Sequence, residues 1–256
     1  EDFDTVCKKL ESAGVSVNCF GSAIANWGKQ ITDPVDSSLE ETRRAIPRMK
    51  RLGAKLVRIM SFAVLKDEDG KVLEDQMPEE RFARLRDITQ MFLSEGLQPV
   101  HENCMNYGGL GWSYTLQLIE NVPGLKLVFD TGNPVFSRDY TAENPQQTYQ
   151  SAWEFYSRVK EHIAYVHIKD GYIDEETDKM VYTFAGEGKG DVKRIVKDIL
   201  DGGYEGGISM EPHLAVVFHD ESVKSQADVQ YANYVEYGRR FMDLLRDIGH
   251  GDKLTW

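Results

Sequence analysis

The sequence predicts a parallel α/β barrel, and three observations carry that prediction. Short apolar runs that read as strands alternate with amphipathic runs that read as helices, and no Ser/Pro-rich linker separates them. Four of the strand-like runs end on an acidic or imidazole side chain: 97–102 on Glu102, 125–130 on Asp130, 164–167 on His167 and 207–211 on Glu211. Parallel strands of a barrel all open their C-terminal ends on one face, where active sites are built. The four side chains are therefore expected to converge, in a single domain spanning 1–256.

The elements follow in order from local signals. A first helix over 3–13 carries Val6 and Leu10 on one face and ends at Gly14, ahead of a strand over 15–20. A second starts at the capping box Ser37 to Glu40, bends at Pro47 and ends at Gly53 before the strand 55–60. A third opens on Pro78, buries Phe82, Leu85, Ile88 and Phe92, and stops at Gly96. Further helices are expected over 113–121, 145–162, 192–200 and 223–248. Between His167 and Gly190 there is no helical period. The acidic turn Asp174, Glu175, Glu176 and Asp178, flanked by 172–173 and 180–184, predicts a hairpin-like arm over the barrel mouth with a solvated tip.

Composition narrows the partners. The chain of 256 residues, 41% hydrophobic and 28% charged, is long enough to bury one large core. A net charge of −12 without a Lys/Arg-rich run excludes binding to a phosphate backbone. Cys7, Cys19 and Cys104 are odd in number and lack CxxC spacing, which predicts buried, reduced thiols and a cytoplasmic protein. No apolar run is long enough to span a membrane, and no signal peptide is visible.

Three carboxylates and an imidazole at one barrel mouth are costly unless a cation compensates them. An oxygen-rich set with one imidazole and no thiolate predicts one divalent metal per chain, Mn²⁺ first, with Mg²⁺, Co²⁺ and Zn²⁺ also compatible. Taken singly, each acid reads equally well as a helix cap or a solvated strand end. Around the set, Lys169 lies two residues past His167 and either grips a substrate anion or pairs with rim acids. His213 is a proton relay or a rim histidine, and Glu187 lines the mouth or faces water. Trp27 and Trp112, with Phe20 and Phe62, offer an apolar wall or ordinary packing. The glycine-rich stretch 107–111 is expected as a mobile loop at the mouth, without the spacing of a phosphate cradle.

The strand-end sequences His101-Glu102-Asn103, Phe129-Asp130-Thr131-Gly132-Asn133, His167-Ile168-Lys169-Asp170, Gly186-Glu187-Gly188 and Glu211-Pro212-His213 resemble the xylose isomerase-like TIM barrels, the sugar phosphate isomerase/epimerase superfamily. Their order, with gaps of 28, 37 and 44 residues between the four polar ends, makes the resemblance specific. It implies a TIM (β/α)8 barrel whose four metal ligands, from strands five to eight, are Glu102, Asp130, His167 and Glu211. Strands 15–20 and 55–60 then count as three and four, so the barrel is expected to lack its N-terminal one or two βα units in this chain, and the natural protein to be longer there.

The implied chemistry is proton transfer through a metal-stabilised enediolate, with Glu102 and Glu211 as the acid–base pair, on a small carbohydrate. That is a sugar or polyol isomerase or epimerase, plausible as a homodimer or tetramer. Two departures argue against free ketoses: Asn133 stands where such epimerases carry histidine, and Asp170-Gly171-Tyr172-Ile173 lacks their arginine. A lyase that dehydrates a keto-inositol or cleaves a 3-keto-glycoside by β-elimination is the alternative, and a non-catalytic sugar-binding barrel is the third reading. Asn133 joins Lys169, His213, Glu187, Trp27 and Trp112 as an expected substrate contact.

Overall fold

The structure is a computed structural model and describes residues 2–214 and 227–253. It comprises two compact units, the first running to Gly108 and including Tyr114–Leu127, the second formed by Gly109–Ser113 and the residues from Val128 onward.

The first unit alternates helix and strand: α1 (Phe3–Ala13), β1 (Cys19–Gly21), α2 (Asp36–Leu52), β2 (Leu56–Ile59), α3 (Pro78–Leu93) and β3 (Gln98–Glu102). Its strands lie in the order β1-β2-β3, and both pairings are parallel. Val57, Ile59 and Val100 of the sheet are fully buried, as are Met49 of α2 and Leu85, Ile88 and Phe92 of α3. This is the one-stripe burial that an amphipathic helix on a parallel sheet requires. Gly14 and Gly53, both left-handed, stop α1 and α2 by returning their N–H groups to the last turn.

Two local expectations are corrected here. The strand expected over 15–20 is confined to Cys19–Gly21, because Val15 is spent on closing α1 through its bond to Leu10 O and is left exposed. The capping box does not form: α2 begins at Asp36, so Ser37 lies inside the helix, and the N-cap Val35 makes no side-chain bond. The helix also runs through Pro47 as one element.

The second unit holds Val128–Asp130 of β4 (Lys126–Asp130), then α5 (Ala152–Val159), β5 (Ile163–Ile168), β6 (Asp170–Asp174), β7 (Lys179–Thr183), α6 (Val192–Asp201), β8 (Gly207–Met210) and α7 (Ala227–Asp247). The helix α4 (Trp112–Asn121) precedes β4. The strands run in the order β4-β5-β8, with β5 and β8 parallel, while β6 and β7 form a separate antiparallel hairpin, the expected arm. Val192, Ile195, Val196, Ile199 and Leu200 give α6 its buried stripe. The helix expected over 145–162 is shorter: Ser151 caps α5 through Glu154 N, and Tyr149 instead bridges Arg138. Residues 223–226 of the last expected helix lie outside the described residues.

The 107–111 stretch is not an open loop. Tyr107–Leu110 is a 3-10 turn with both ends buried. A Cβ on Gly108 would overlap Cε1 of His101 and come within 2.7 Å of Leu118 Cδ1, so glycine is what permits the close approach.

Candidate metal and substrate site

In the second unit the strand ends bring polar side chains together. Asp130, fully buried at the end of β4, accepts through Oδ1 from the backbone N–H groups of Gly132 (2.8 Å) and Asn133 (2.7 Å). His167, on β5, brings Nδ1 to 2.8 Å from Glu211 Oε1. Glu211 follows β8 and is fixed by its N–H, which donates to Ile168 O at 2.9 Å. The perpendicular edge contact of Tyr165 with the His167 ring, centroids 5.7 Å apart, restricts that imidazole further. Ligand atoms of Asp130, His167 and Glu211 lie within 4.8 Å of one another.

Strand periodicity puts Lys169 on the same face as His167. Its Nζ lies 2.9 Å from Asp130 Oδ2 and 3.5 Å from Glu211 Oε2, and its backbone is held by Thr131, whose Oγ1 donates to Lys169 O (2.7 Å) and accepts from Lys169 N (3.1 Å). One ammonium beside two carboxylates leaves those three groups net negative. Two hard oxygen donors, one imidazole and a residual negative charge fit a divalent cation.

Asp170, the next residue, serves the adjoining loop. Its buried carboxylate accepts from the N–H groups of Gly171 (2.8 Å), Gly186 (2.8 Å), Gly188 (3.0 Å) and Gly190 (2.8 Å). Burial nevertheless pushes its pKa up, outweighing the four donors that pull it down. Asn133 sits on the turn after Asp130, and its Nδ2 is buried with no hydrogen-bond partner among the described residues. His213 packs at a tilt against Tyr182 of the arm, centroids 4.8 Å apart, and Tyr182 in turn packs on Phe136 at 4.9 Å. Glu187 is turned to Arg240, 2.8 Å away at the surface. Trp112 lies under the Arg158 guanidinium, 4.8 Å from its ring centroid.

In the first unit, Glu102 ends β3, almost completely buried. Arg58 of β2 stands opposite Val100, hence on the face of Glu102 two residues on, and its Nη1 donates to Glu102 Oε2 at 2.9 Å. His101 points to the other face, where its Nε2 lies 2.9 Å from Asn106 Oδ1 and 3.0 Å from Ser61 Oγ. Burial drives its pKa down to about 4 and keeps it neutral. Burial also pushes the Cys19 thiol up to about 11, which makes it unreactive at neutral pH. Phe62 is buried, Phe20 half-buried, and Trp27 stands exposed in the turn after β1.

Sequence reasoning missed Arg58, Tyr182 and Phe136. A charged residue inside the apolar run Leu56–Ile59 was the available signal for Arg58. The two rings carry no motif, because their meeting depends on the register of the arm.

A parallel-strand α/β chain with two carboxylates and a histidine gathered at strand ends has the makings of a barrel metalloprotein. The family profile of the xylose isomerase-like TIM barrel matches residues 1–233, and the chain belongs to that family. No curated protein matches it. Among solved structures it is similar to a xylose isomerase-like TIM barrel protein from Mycobacterium smegmatis in complex with magnesium (17% identity, 94% of this chain and 76% of that one, TM-score 0.67). It is also similar to a D-tagatose 3-epimerase-like protein (16%, 96% and 83%, TM-score 0.66). A third is the probable 3-DHS dehydratase involved in petrobactin synthesis from Bacillus anthracis (12%, 93% and 82%, TM-score 0.64). At these identities the likeness is one of fold.

Proposed function

We propose that Glu102, Asp130, His167 and Glu211 together hold one divalent cation, Mn²⁺ in the first instance, and that the protein is a cytoplasmic isomerase or epimerase of a small sugar or polyol. The observation that carries the reading is the juxtaposition of Asp130, His167 and Glu211 with Lys169 as partial counter-charge. A bound divalent cation supplies Lewis-acid polarisation of a substrate carbonyl, which acidifies the adjoining C–H.

The chain's own groups do the rest. Glu211 removes the proton with its carboxylate, and Glu102, its Oε2 held by Arg58, returns one to the opposite face or the neighbouring carbon. Asp130 and His167 act as ligands. Lys169 balances the negative charge that develops on the substrate oxygen when the proton leaves. Asn133 Nδ2, a buried donor awaiting an acceptor, is assigned to a substrate oxygen.

A second reading keeps the same base and expels a β-substituent, giving a lyase on a keto-sugar. Asn133 favours it, since it stands where free-ketose epimerases carry histidine. The test is elemental analysis of the protein and its Glu211→Gln variant after chelation and Mn²⁺ reloading. About one ion per chain in the parent, lost or reduced in the variant, supports the site. A parent protein that retains no ion overturns both readings and leaves a sugar-binding barrel.

A further inference from the structure

The metal reading leaves open the form in which a sugar is taken, ring or open chain, and the second unit bears on it. Three aromatic rings meet on segments that follow the ligand residues or pair with one that does. Phe136 ends the 3-10 turn Asn133–Phe136 that follows Asp130. Tyr182 lies on β7 of the arm, whose partner strand β6 begins at Asp170, directly after Lys169. His213 comes two residues after Glu211. Tyr182 touches both of the others, tilted 58° to Phe136 and 57° to His213.

The backbone is shaped for this meeting. Gly171 pairs with Tyr182 across the hairpin, and a Cβ there would overlap Val181 O and reach 2.6 Å from Phe136 Cζ. A side chain at 171 would keep Phe136 off the arm. The arm is also braced at its tip, where Tyr149 donates to Asp178 Oδ1 at 3.0 Å and Arg138 covers the Tyr149 ring at 3.8 Å. A braced arm holds Tyr182 in a fixed position, as a recognition surface requires.

The Tyr182 hydroxyl is under-used. Its one bond among the described residues is to the thioether of Met180 at 3.8 Å, a weak acceptor, although a half-buried phenol normally finds a good one. Burial pushes the phenol's pKa up, and Lys169 and Asp130 act on it electrostatically in opposite directions. On the neighbouring turn the Asn133 amide is a second donor without an acceptor. One flat ring with a weakly used donor and one unspent donor therefore lie on segments that adjoin the ligand residues.

We propose that Tyr182 is a substrate-contacting specificity residue that selects a closed ring, a pyranoside or a cyclitol, over an open-chain sugar. The ring's C–H face lies on Tyr182, and Tyr182 Oη and Asn133 Nδ2 donate to its oxygens. An extended polyol has the oxygens but presents no flat C–H face to the aromatic ring. The inference rests on the proposed metal site for its location and is tested separately from it.

The test uses Mn²⁺-loaded protein and calorimetric titration with methyl glucopyranoside and myo-inositol as ring probes and with sorbitol as the open-chain probe. Tyr182→Leu keeps apolar bulk and removes the flat ring. Tyr182→Phe keeps the ring and removes the hydroxyl. At least one ring probe is expected to bind the parent more tightly than sorbitol, to weaken about tenfold in Tyr182→Leu, and to weaken only about threefold in Tyr182→Phe. Mn²⁺ stoichiometry should be unchanged in both variants, melts should show both still folded at the titration temperature, and sorbitol affinity should fall by less than ring affinity in Tyr182→Leu. Ring affinity untouched by Tyr182→Leu, sorbitol binding as tight as the rings, or no ring bound at all would overturn the proposal. Loss of Mn²⁺ binding in the parent instead would strike the metal reading, and the dependence of ring affinity on Tyr182 would still be measured on metal-free protein.

Discussion

Replacing Asp170 by alanine should unfasten the loop 184–191 and cost about 3–5 kcal/mol. The carboxylate accepts four backbone N–H groups, three of them from Gly186, Gly188 and Gly190, sixteen to twenty residues away. Gly186 is exposed and water can serve its N–H, and Gly171 adjoins Asp170 in sequence rather than lying in the loop, so the loss within the loop falls on Gly188 and Gly190. Hydrogen bonds to a charged acceptor contribute about 1.5–3 kcal/mol each, which gives roughly 3–6 kcal/mol for the pair. Relief from burying a carboxylate, whose pKa burial raises, trims the upper end. Asp170→Asn retains one acceptor oxygen and should lose about half as much. Amide exchange at Gly188 and Gly190, followed with urea unfolding, reads both effects. The sign with pH is set by the raised pKa: just above the unfolded value near 3.8 the folded state binds the extra proton. This group's contribution to stability therefore grows as pH falls through the folded pKa, and the deficit of Asp170→Asn against the parent should change across that window. Unchanged protection at both glycines together with a loss under about 0.5 kcal/mol would refute the reasoning, since no buried donor would then depend on Asp170.

Further outcomes follow from single contacts. Gly108→Ala places a methyl against His101 and 2.7 Å from Leu118 Cδ1, and should destabilise by about 1–3 kcal/mol in thermal melts. His101, held near pKa 4 when folded, takes up a proton more readily when unfolded, so stability should decline as pH drops from about 6.5 toward 4, by up to roughly 3 kcal/mol. Calorimetric melts of His101→Gln should show a shallower slope over that range, and an identical slope would assign it elsewhere. Lys169→Met removes an ammonium from between Asp130 and Glu211, so Mn²⁺ should bind more tightly, by about tenfold, while any proton-transfer activity falls. Weaker Mn²⁺ binding in that variant would mean that Lys169 props the ligands rather than opposing the cation.

What the sequence made legible divides along physical lines. Helix ends were readable wherever a glycine takes a left-handed turn, as at Gly14 and Gly53, because that conformation is close to a residue-type signature. The start of α2 was not, since Ser37 to Glu40 satisfies the capping pattern while Asp36 already opens the helix. The apolar alternation at 15–20 mimicked a full strand, but only Cys19–Gly21 meets a partner in β2, and pairing is a tertiary fact. Asp130, His167, Lys169 and Glu211 could be named because strand ends and a period of two are local properties. Arg58 on Glu102, and Phe136 and His213 on Tyr182, are set by cross-strand register and arm geometry, which no single segment encodes.

That dependence on register is concentrated in four consecutive residues of the chain after Val166. His167 and Lys169 turn their side chains to Asp130 and Glu211, while between them Ile168 is buried on the opposite face and gives its carbonyl to the N–H of Glu211. Asp170 then faces away from the cluster and gathers the glycine loop. Both polar sets thus hang on one strand phase. A slip of one residue against β8 would carry His167 and Lys169 to the apolar side and bring Ile168 to the acids. Burying an unpaired ammonium there costs several kcal/mol, far more than a strand could regain by re-pairing its backbone. The residues that make the site costly to assemble are therefore also the ones that specify its register, and this holds whatever chemistry the cluster serves.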